Sequence, residues 1–235
     1  MFLASWFSVW YIIYPIILFL IFVGFTYVLS YIRQSAIREI NRLLYVKQEF
    51  DIYQEFLENK RLKLIFSKGQ LQVLRLNGAI LGKNDELAKS VIYKTDKMKL
   101  KPYERLDFYQ KRFSFFVEEG NKKEANISLE NLKTLLGKNT KKEATEILEE
   151  AKLVYSIYIE HDTSKISVLV EKSELIKEPL TKGINYFRIA KLFHFKSQKS
   201  EVKKYLFLAK PFLENTYYED IVISALKDES ILDIK

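Results

Sequence analysis

The sequence contains only two histidines and no cysteine, which limits the choices for metal binding and nucleophilic chemistry. His161 lies in a predicted turn beside Asp162, and His194 lies at the end of a predicted helix. The absence of cysteine excludes disulfides, thiolate nucleophiles and thiolate metal sites. Because no third ligand accompanies the two histidines, they are interpreted as a turn residue and a helix-end residue that interacts with carbonyl groups. We expect no metal and no cofactor.

The remaining short motifs are too weak to assign a reaction. Residues 200–203 fit S-x-x-K, but the S-D-N and K-T-G partners of that enzyme class are missing. Ser200 is instead predicted to cap the N-terminus of a helix. Adjacent carboxylates such as Glu118 and Glu119 do not face one another on a helix. Glycine-rich nucleotide loops, H-E-x-x-H and G-x-S-x-G are absent from the sequence. We predict that the chain is not an enzyme.

Basic residues outnumber acidic ones by 38 to 30, and lysines form groups near predicted turns. Positive charge alone suits a nucleic-acid backbone, but base recognition favours arginine, which is scarce here. Attraction to an anionic membrane surface is a second interpretation, and plain solubility is a third. We therefore disfavour nucleic acid and keep anionic lipid as a candidate partner. The groups are Lys94, Lys97, Lys99 and Lys101; Lys138, Lys141 and Lys142; and Lys196, Lys199, Lys203 and Lys204.

The first structural element that the sequence indicates is an uncharged N-terminal stretch. Residues 1–32 contain no Asp, Glu, Lys, Arg or His. About 20 apolar helical residues cross a hydrocarbon core, and a helix pairs every backbone polar group in lipid. We predict a transmembrane anchor over 1–32, with the span at about Val9–Tyr31. Pro15 is tolerated within such a helix or starts its regular part. Aromatic residues are predicted to form belts at its two ends: Trp6, Trp10, Tyr11, Tyr14, Tyr27 and Tyr31.

Charge sets the expected orientation of the span. No charged side chain precedes it, whereas Arg33, Arg38, Arg42 and Lys47 follow it. Flanks rich in Lys and Arg stay in the cytoplasm. We predict a single-pass cell-membrane protein with its N-terminus outside and residues 33–235 inside. A cleaved signal peptide is the alternative, but the apolar run is long and lacks a basic n-region. The Lys-rich, Ala- and Gly-poor composition favours a bacterial source.

Helical periodicity dominates the remainder of the chain, which has only four prolines and seven glycines. We predict amphipathic stalk helices over 33–68, either continuous with the membrane helix or broken near Tyr45. Their apolar stripe is predicted to consist of Ile37, Ile40, Leu44, Phe50, Tyr53 and Leu57. Beyond them, helix–turn–helix patterns recur with turns at 82–85, 120–123, 161–164 and 197–200. These turns begin 38, 41 and 36 residues apart. Repeats of this length are typical of helical solenoids, in which neighbouring hairpins bury one another's apolar faces.

These units resemble the tetratricopeptide repeat family. One unit matches its pattern at Tyr109, Phe113, Phe116, Gly120, Ala125, Leu129 and Leu132, and another at Tyr186, Ile189, Ala190, Phe193, Val202, Leu206 and Ala209. The resemblance implies an all-α chain with an α-solenoid of helical hairpins over 69–216 and a capping helix over 217–235. An irregular helical bundle is the alternative. Tyr103, Phe108, Tyr217 and Tyr218 are candidates to line a groove, whereas Phe113, Phe115 and Phe116 are expected to fill the core.

One membrane span joined to a helical repeat array favours a scaffold or adaptor. Its cytoplasmic groove would present a surface to a peptide or helix of a partner protein. The alternatives are an exported or envelope-facing chaperone or assembly factor, which needs the opposite topology, and a non-catalytic subunit of a membrane enzyme complex. A deep cavity with convergent polar groups of perturbed pKa would instead favour an enzyme.

Overall fold

The computed structural model describes residues 2–137, 141–216 and 218–233, with the backbone alone for residues 2–13. Within these residues the fold is all-α, as predicted, and contains no strand. The α-helices are α1 (Phe2–Asn41), α2 (Phe50–Leu57), α3 (Leu62–Ile65), α4 (Lys68–Leu81), α5 (Asp85–Asp96), α6 (Pro102–Glu118), α7 (Lys122–Leu136), α8 (Lys142–Tyr158), α9 (Lys165–Leu175), α10 (Pro179–Phe195), α11 (Lys199–Leu213) and α12 (Tyr218–Lys227). A π-helix spans Arg42–Lys47 and a 3₁₀-helix spans Glu229–Leu232.

The first helix, α1, is long and apolar enough to cross a membrane. Its most apolar 18-residue window has a mean hydropathy of 2.2, and no residue of that window is buried by the protein. Pro15 lies inside this helix rather than at its start. The described side chains from Tyr14 to Ser35 are all exposed. An exposed apolar stretch of this length is compatible with a membrane span.

The chain divides into two compact units, Met1–Asp107 and Phe108–Lys235, with the division inside α6. In the N-terminal unit, α1 continues into the π-helix, and the residue after that helix, Gln48, has a left-handed backbone conformation. The predicted stalk, 33–68, therefore contains the end of α1, the π-helix, α2 and α3.

The core of the N-terminal unit begins on one face of α1. Ala36 and Ile40 are buried there, and Leu43 and Leu44 of the π-helix that follows continue this buried face at helical spacing. Ile37 is exposed, so the prediction that it belongs to the apolar stripe was wrong, because this residue lies outside that face. The remaining members of the cluster come from α2, α3, α4 and the residue after α3: Tyr53, Leu57, Leu62, Leu71 and Phe66.

The four predicted turns are confirmed, and each contains one residue with positive φ: Lys83, Gly120, His161 and Ser197. In three of them the next residue donates its N–H to the carbonyl five positions earlier, at 2.8–3.0 Å: Asn84 to Ala79, Asn121 to Phe116 and Gln198 to Phe193. The left-handed residue itself donates to the carbonyl three positions earlier. These paired bonds define the Schellman motif, which ends one helix and turns the chain into the next.

The turn at Ser197 also corrects one prediction. Helix α11 begins at Lys199 with Gln198 at the N-cap position, so Ser200 already lies inside the helix and does not cap it. The physical reason is the tight Schellman turn, which leaves only Gln198 between the left-handed residue and the first helical one.

The C-terminal unit is built around α10, which packs against α9, α11 and the 3₁₀-helix. Seven of its residues are buried, as expected for a helix covered on several sides. In the predicted capping segment, α12 buries Val222 and Ala225 and exposes Asp220 and Lys227. The central side chains of this core, all fully buried, include Ile157, Leu169, Ile189, Leu192, Leu206, Leu213 and Val222.

Candidate functional site

A groove of about 880 Å³ lies between α8 and α9 in the C-terminal unit. We call it the α8–α9 groove. Its apolar surface comes from Leu153, Val168 and Leu169. Leu169 is fully buried, whereas Val168, its neighbour on α9, is 57% exposed. The bottom of the groove therefore has exposed apolar surface, supplied by Val168, that no described part of the chain covers.

A buried polar clamp holds α9 so that its outer face stays open. Asn185 of α10 donates its Nδ2 to the Leu169 carbonyl at 2.8 Å and to Ser173 Oγ at 2.6 Å. Ser173 Oγ in turn donates to the Leu169 carbonyl. Asn185 and Ser173 are both buried, and hydrogen bonds between buried groups fix geometry because leaving them unmade is costly. The clamp directs one side of α9 into the core and leaves Val168 and Leu175 exposed on the helix.

Charged side chains form the walls of the α8–α9 groove, with carboxylates in excess. The walls carry Glu146, Glu149, Glu150, Glu160 and Asp162 against Lys152, Lys165 and Lys172. Several of these carboxylates already have cationic neighbours on the surface, such as Lys152 with Glu149 at 2.7 Å. The pKa of Asp162 is lowered by hydrogen bonds from the Ser164 side chain and backbone N–H. An apolar floor between acid-rich walls suits an amphipathic helix that carries basic residues.

A smaller cavity of about 310 Å³ lies among α6, α8, α10, α12 and the 3₁₀-helix. Arg188 and Lys191 of α10 converge on it together with Tyr158 of α8. Lys191 Nζ donates to the Leu232 carbonyl at 2.7 Å and lies 5.2 Å from the centroid of the Tyr158 ring. Arg188 Nη2 is 2.6 Å from Glu150 Oε1. Both cations thus already have partners within the protein.

Burial shifts the pKa values of two groups at this cavity. It lowers the pKa of Lys191 to about 8, an effect that the negative charge of Asp233 partly opposes. It also raises the pKa of the Tyr158 hydroxyl to about 12. Since Lys191 is committed to a backbone carbonyl, the geometry supports a role in holding the 3₁₀-helix against α10.

The rings of both histidines lie close to Phe195. The His161 ring stacks on Phe195 with centroids 3.8 Å apart, and the His194 ring lies 5.9 Å from it. His194 Nε2 is 2.8 Å from Asp233 Oδ1, so its partner is a carboxylate rather than the helix-end carbonyl groups we expected. Among the residues the structure describes, no three His, Cys, Asp or Glu side chains form a group that could hold a metal ion.

Most of the predicted repeat-packing residues lie in the interior. Phe113, Phe116, Ala125, Ala190, Leu206 and Ala209 are buried. Tyr186 and Phe193 are partly buried against the core of the C-terminal unit, and Tyr109 is partly buried beside Phe108. Gly120 occupies the left-handed turn position.

The predicted membrane-facing residues belong to α1 and the π-helix. The side chains of Trp6, Trp10 and Tyr11 lie outside the described residues, although their backbone is helical. Tyr14, Tyr27 and Tyr31 are exposed. Arg33 lies over the Phe66 ring at 5.7 Å, Arg38 is exposed, Arg42 pairs with Glu39 at 2.5 Å, and Lys47 is 3.6 Å from Glu49.

The aromatic residues suggested for a groove separate into different environments. Phe108 is almost fully buried, so its assignment to a groove was wrong, because its face of α6 points into the core. Tyr103 is exposed, Tyr217 lies outside the described residues, and Tyr218 lines the smaller cavity. Sequence reasoning missed Asn185 and Ser173; a polar pair inside otherwise apolar helix faces was the available signal.

Comparison with known proteins adds no relative. The chain matches no protein-family model, no curated protein and no solved structure.

Proposed function

We propose that this protein is a membrane-tethered interaction module. The observation that carries the proposal is the apolar part of α1, whose side chains from Tyr14 to Ser35 are all exposed. Exposing an apolar surface of this extent to water is unfavourable, whereas in a bilayer the same surface contacts lipid chains. The chain thus enters the bilayer through α1, and the helices that follow remain outside it.

The proposed orientation places the N-terminus outside the cell and the two units in the cytoplasm. Its support is the difference in charge between the two flanks of the span. No charged side chain precedes the span, whereas four basic ones follow it: Arg33, Arg38, Arg42 and Lys47. Tethering raises the local concentration of any partner that the module recruits near the membrane.

The helical hairpins are proposed to form a divergent tetratricopeptide-like array. Support comes from the three Schellman turns of identical hydrogen-bond pattern and from the small residues Ala125, Ala190 and Ala209 at buried positions. Arrays of this kind present grooves rather than enclosed active sites. The proposal therefore includes no catalytic activity.

The α8–α9 groove is the proposed partner site, and its occupant is an amphipathic helix with basic residues. Val168 supplies exposed apolar area, and the excess of carboxylates attracts positive charge. A labelled model helix with an apolar stripe and lysines on both flanks should bind the full-length protein in detergent, measured by fluorescence anisotropy.

Three variants and one control peptide make the test specific. Val168→Glu should abolish binding, and Glu149→Lys with Glu160→Lys should weaken it about tenfold. Phe207→Glu, at an exposed apolar position of α11, should leave it unchanged. A helix with glutamates in place of its lysines should not bind. Equal binding of both peptides, or an equal loss in the Phe207→Glu variant, would reject the groove as the site.

A further inference from the structure

The most exposed large apolar side chain among the described residues is Leu64, at 83%. It belongs to α3, a four-residue helix that buries Leu62. Phe66, the residue that follows α3, is buried in the same cluster. An apolar side chain that is this exposed, next to residues that are buried, indicates a contact with another apolar surface.

The residues around Leu64 are basic. Lys60, Arg61 and Lys63 are all exposed, and Glu58 is the acidic residue nearest to them in sequence. Glu58 pairs with Arg75 and also lies 3.8 Å from Lys63. Segments of proteins that bind the surface of anionic bilayers combine apolar side chains with neighbouring basic ones, as Leu64 is combined here with three basic residues.

Packing fixes this segment beside the end of α1. Leu62 and Phe66 share a cluster with Ala36 and Ile40, and the Arg33 guanidinium carbon lies 5.7 Å from the centroid of the Phe66 ring. Arg33 is the first charged residue after the apolar stretch. At 1.5 Å per residue, Ala36 and Ile40 lie only about 5 and 10 Å along the helix from Arg33. This distance corresponds to the headgroup layer beside a span that ends near Arg33.

We infer that residues 60–64 form a lipid-binding foot, in which Leu64 enters the interface of the membrane that α1 crosses while Lys60, Arg61 and Lys63 bind anionic headgroups. The inference rests on the proposed membrane span. It assigns the lipid contact to this segment rather than to the lysines of residues 94–101, where the sequence also showed a basic group. The foot fixes the N-terminal unit against the bilayer instead of leaving it on a free stalk.

The absence of native cysteine makes a direct test possible. Full-length Leu64→Cys protein, labelled with an environment-sensitive dye, is placed in nanodiscs containing phosphatidylserine, and quenching by spin-labelled lipid is measured. Leu175→Cys is the matched control, because Leu175 is also highly exposed at 76% and belongs to the C-terminal unit. We expect at least about twofold stronger quenching at position 64 than at 175, and a decrease when phosphatidylcholine replaces phosphatidylserine.

Charge variants identify the headgroup ligands. In the Leu64→Cys protein, Lys60→Glu with Arg61→Glu and Lys63→Glu should reduce quenching to the level of position 175. Lys94→Glu with Lys97→Glu and Lys99→Glu, which changes the same charge elsewhere in the unit, should leave it intact. Equal quenching at positions 64 and 175, or loss in the second triple variant alone, overturns the inference.

A third labelled position separates this inference from the span itself. Leu20→Cys, in the middle of the exposed apolar stretch, should be quenched by lipids spin-labelled deep in the acyl chains. Deep quenching at position 20 without quenching at 64 rejects the foot and retains the anchor. No deep quenching at position 20 rejects both.

Discussion

The ring of Tyr53 occupies the space in which a side chain at position 78 would lie. A Cβ atom at Gly78 would overlap Tyr53 Cε1, far inside van der Waals contact. The Tyr53 hydroxyl donates to the Leu74 carbonyl at 2.8 Å, and the ring is fully buried. Helix α2 therefore packs onto α4 through a contact that requires glycine, and this contact joins the stalk segment to the first hairpin.

Gly78→Ala is expected to destabilise the N-terminal unit by about 1–3 kcal/mol, because the tightly held Tyr53 ring has no room to move. The measurement is thermal unfolding of the full-length protein in detergent. Gly24→Ala is the control, since a Cβ at Gly24 meets nothing within 4 Å. Equal midpoints for the Gly78→Ala protein and the unmodified protein would contradict the described contact.

The buried guanidinium of Arg112 provides a second prediction. Its Nη2 is 2.6 Å from Glu124 Oε2, its Nη1 donates to Ser128 Oγ at 2.6 Å, and its side chain is about 5% exposed. Glu124→Ala removes the carboxylate and leaves a positive charge in the core, so it should cost about 3 kcal/mol or more. Arg112→Met keeps the apolar stem and removes the charge, so it should cost less.

Chemical unfolding of the two variants measures this order. A larger loss of stability in Arg112→Met than in Glu124→Ala would show that loss of the carboxylate beside the buried guanidinium is not the main cost of breaking the pair. Combining the two changes should be less harmful than the sum of the single effects, because contacting residues are energetically coupled.

Lys191 predicts a rise of stability with pH. Its pKa is lowered to about 8 in the folded protein, against about 10.4 for an unperturbed lysine. Between these values the unfolded chain binds more protons than the folded one, so the free energy of unfolding increases with pH. Below pH 8 the amine is protonated in both states and the full cost of burying its charge is present. The increase across the window should be about 2–3 kcal/mol.

Unfolding of the unmodified protein and of Lys191→Met, compared from pH 7.5 to 9.5, isolates this effect. The difference between the two should change with pH in the stated direction, and parallel curves would contradict it. Measurements stay below pH 10 because the raised pKa of Tyr158 acts in the opposite sense there: its folded state retains a proton that the unfolded state loses.

Helix periodicity and turn chemistry were sufficient to predict the all-α class and the four turns. The signal was local in each case, since apolar spacing and short polar stretches act within a few residues of the chain. Gly120 marked its turn directly, whereas Lys83, His161 and Ser197 adopt the left-handed conformation without glycine. At those positions the polar residues around the turn, rather than the left-handed residue itself, carried the signal.

The polar contacts that position the helices of the candidate sites could not be predicted, because their partners meet only through tertiary packing. Asn185 donates to the Leu169 carbonyl of α9, which lies 16 positions earlier in the sequence. Lys191 donates to the Leu232 carbonyl, which lies 41 positions later. Nothing in the local sequence around either residue specifies its partner. The same limitation explains Phe108, whose spacing suited either a groove or a core and whose burial depends on neighbouring helices.

Membrane topology tests the central claim most directly. The protein, expressed in bacteria, carries at its C-terminus either a fluorescent protein that matures only inside the cell or alkaline phosphatase, which is active only outside it. Bright fluorescence with low phosphatase activity, and retention of the chain in membranes after an alkaline wash, is the predicted result. A dark fluorescent fusion with high phosphatase activity, or release of the chain by the wash, would contradict a cytoplasmic module tethered through α1.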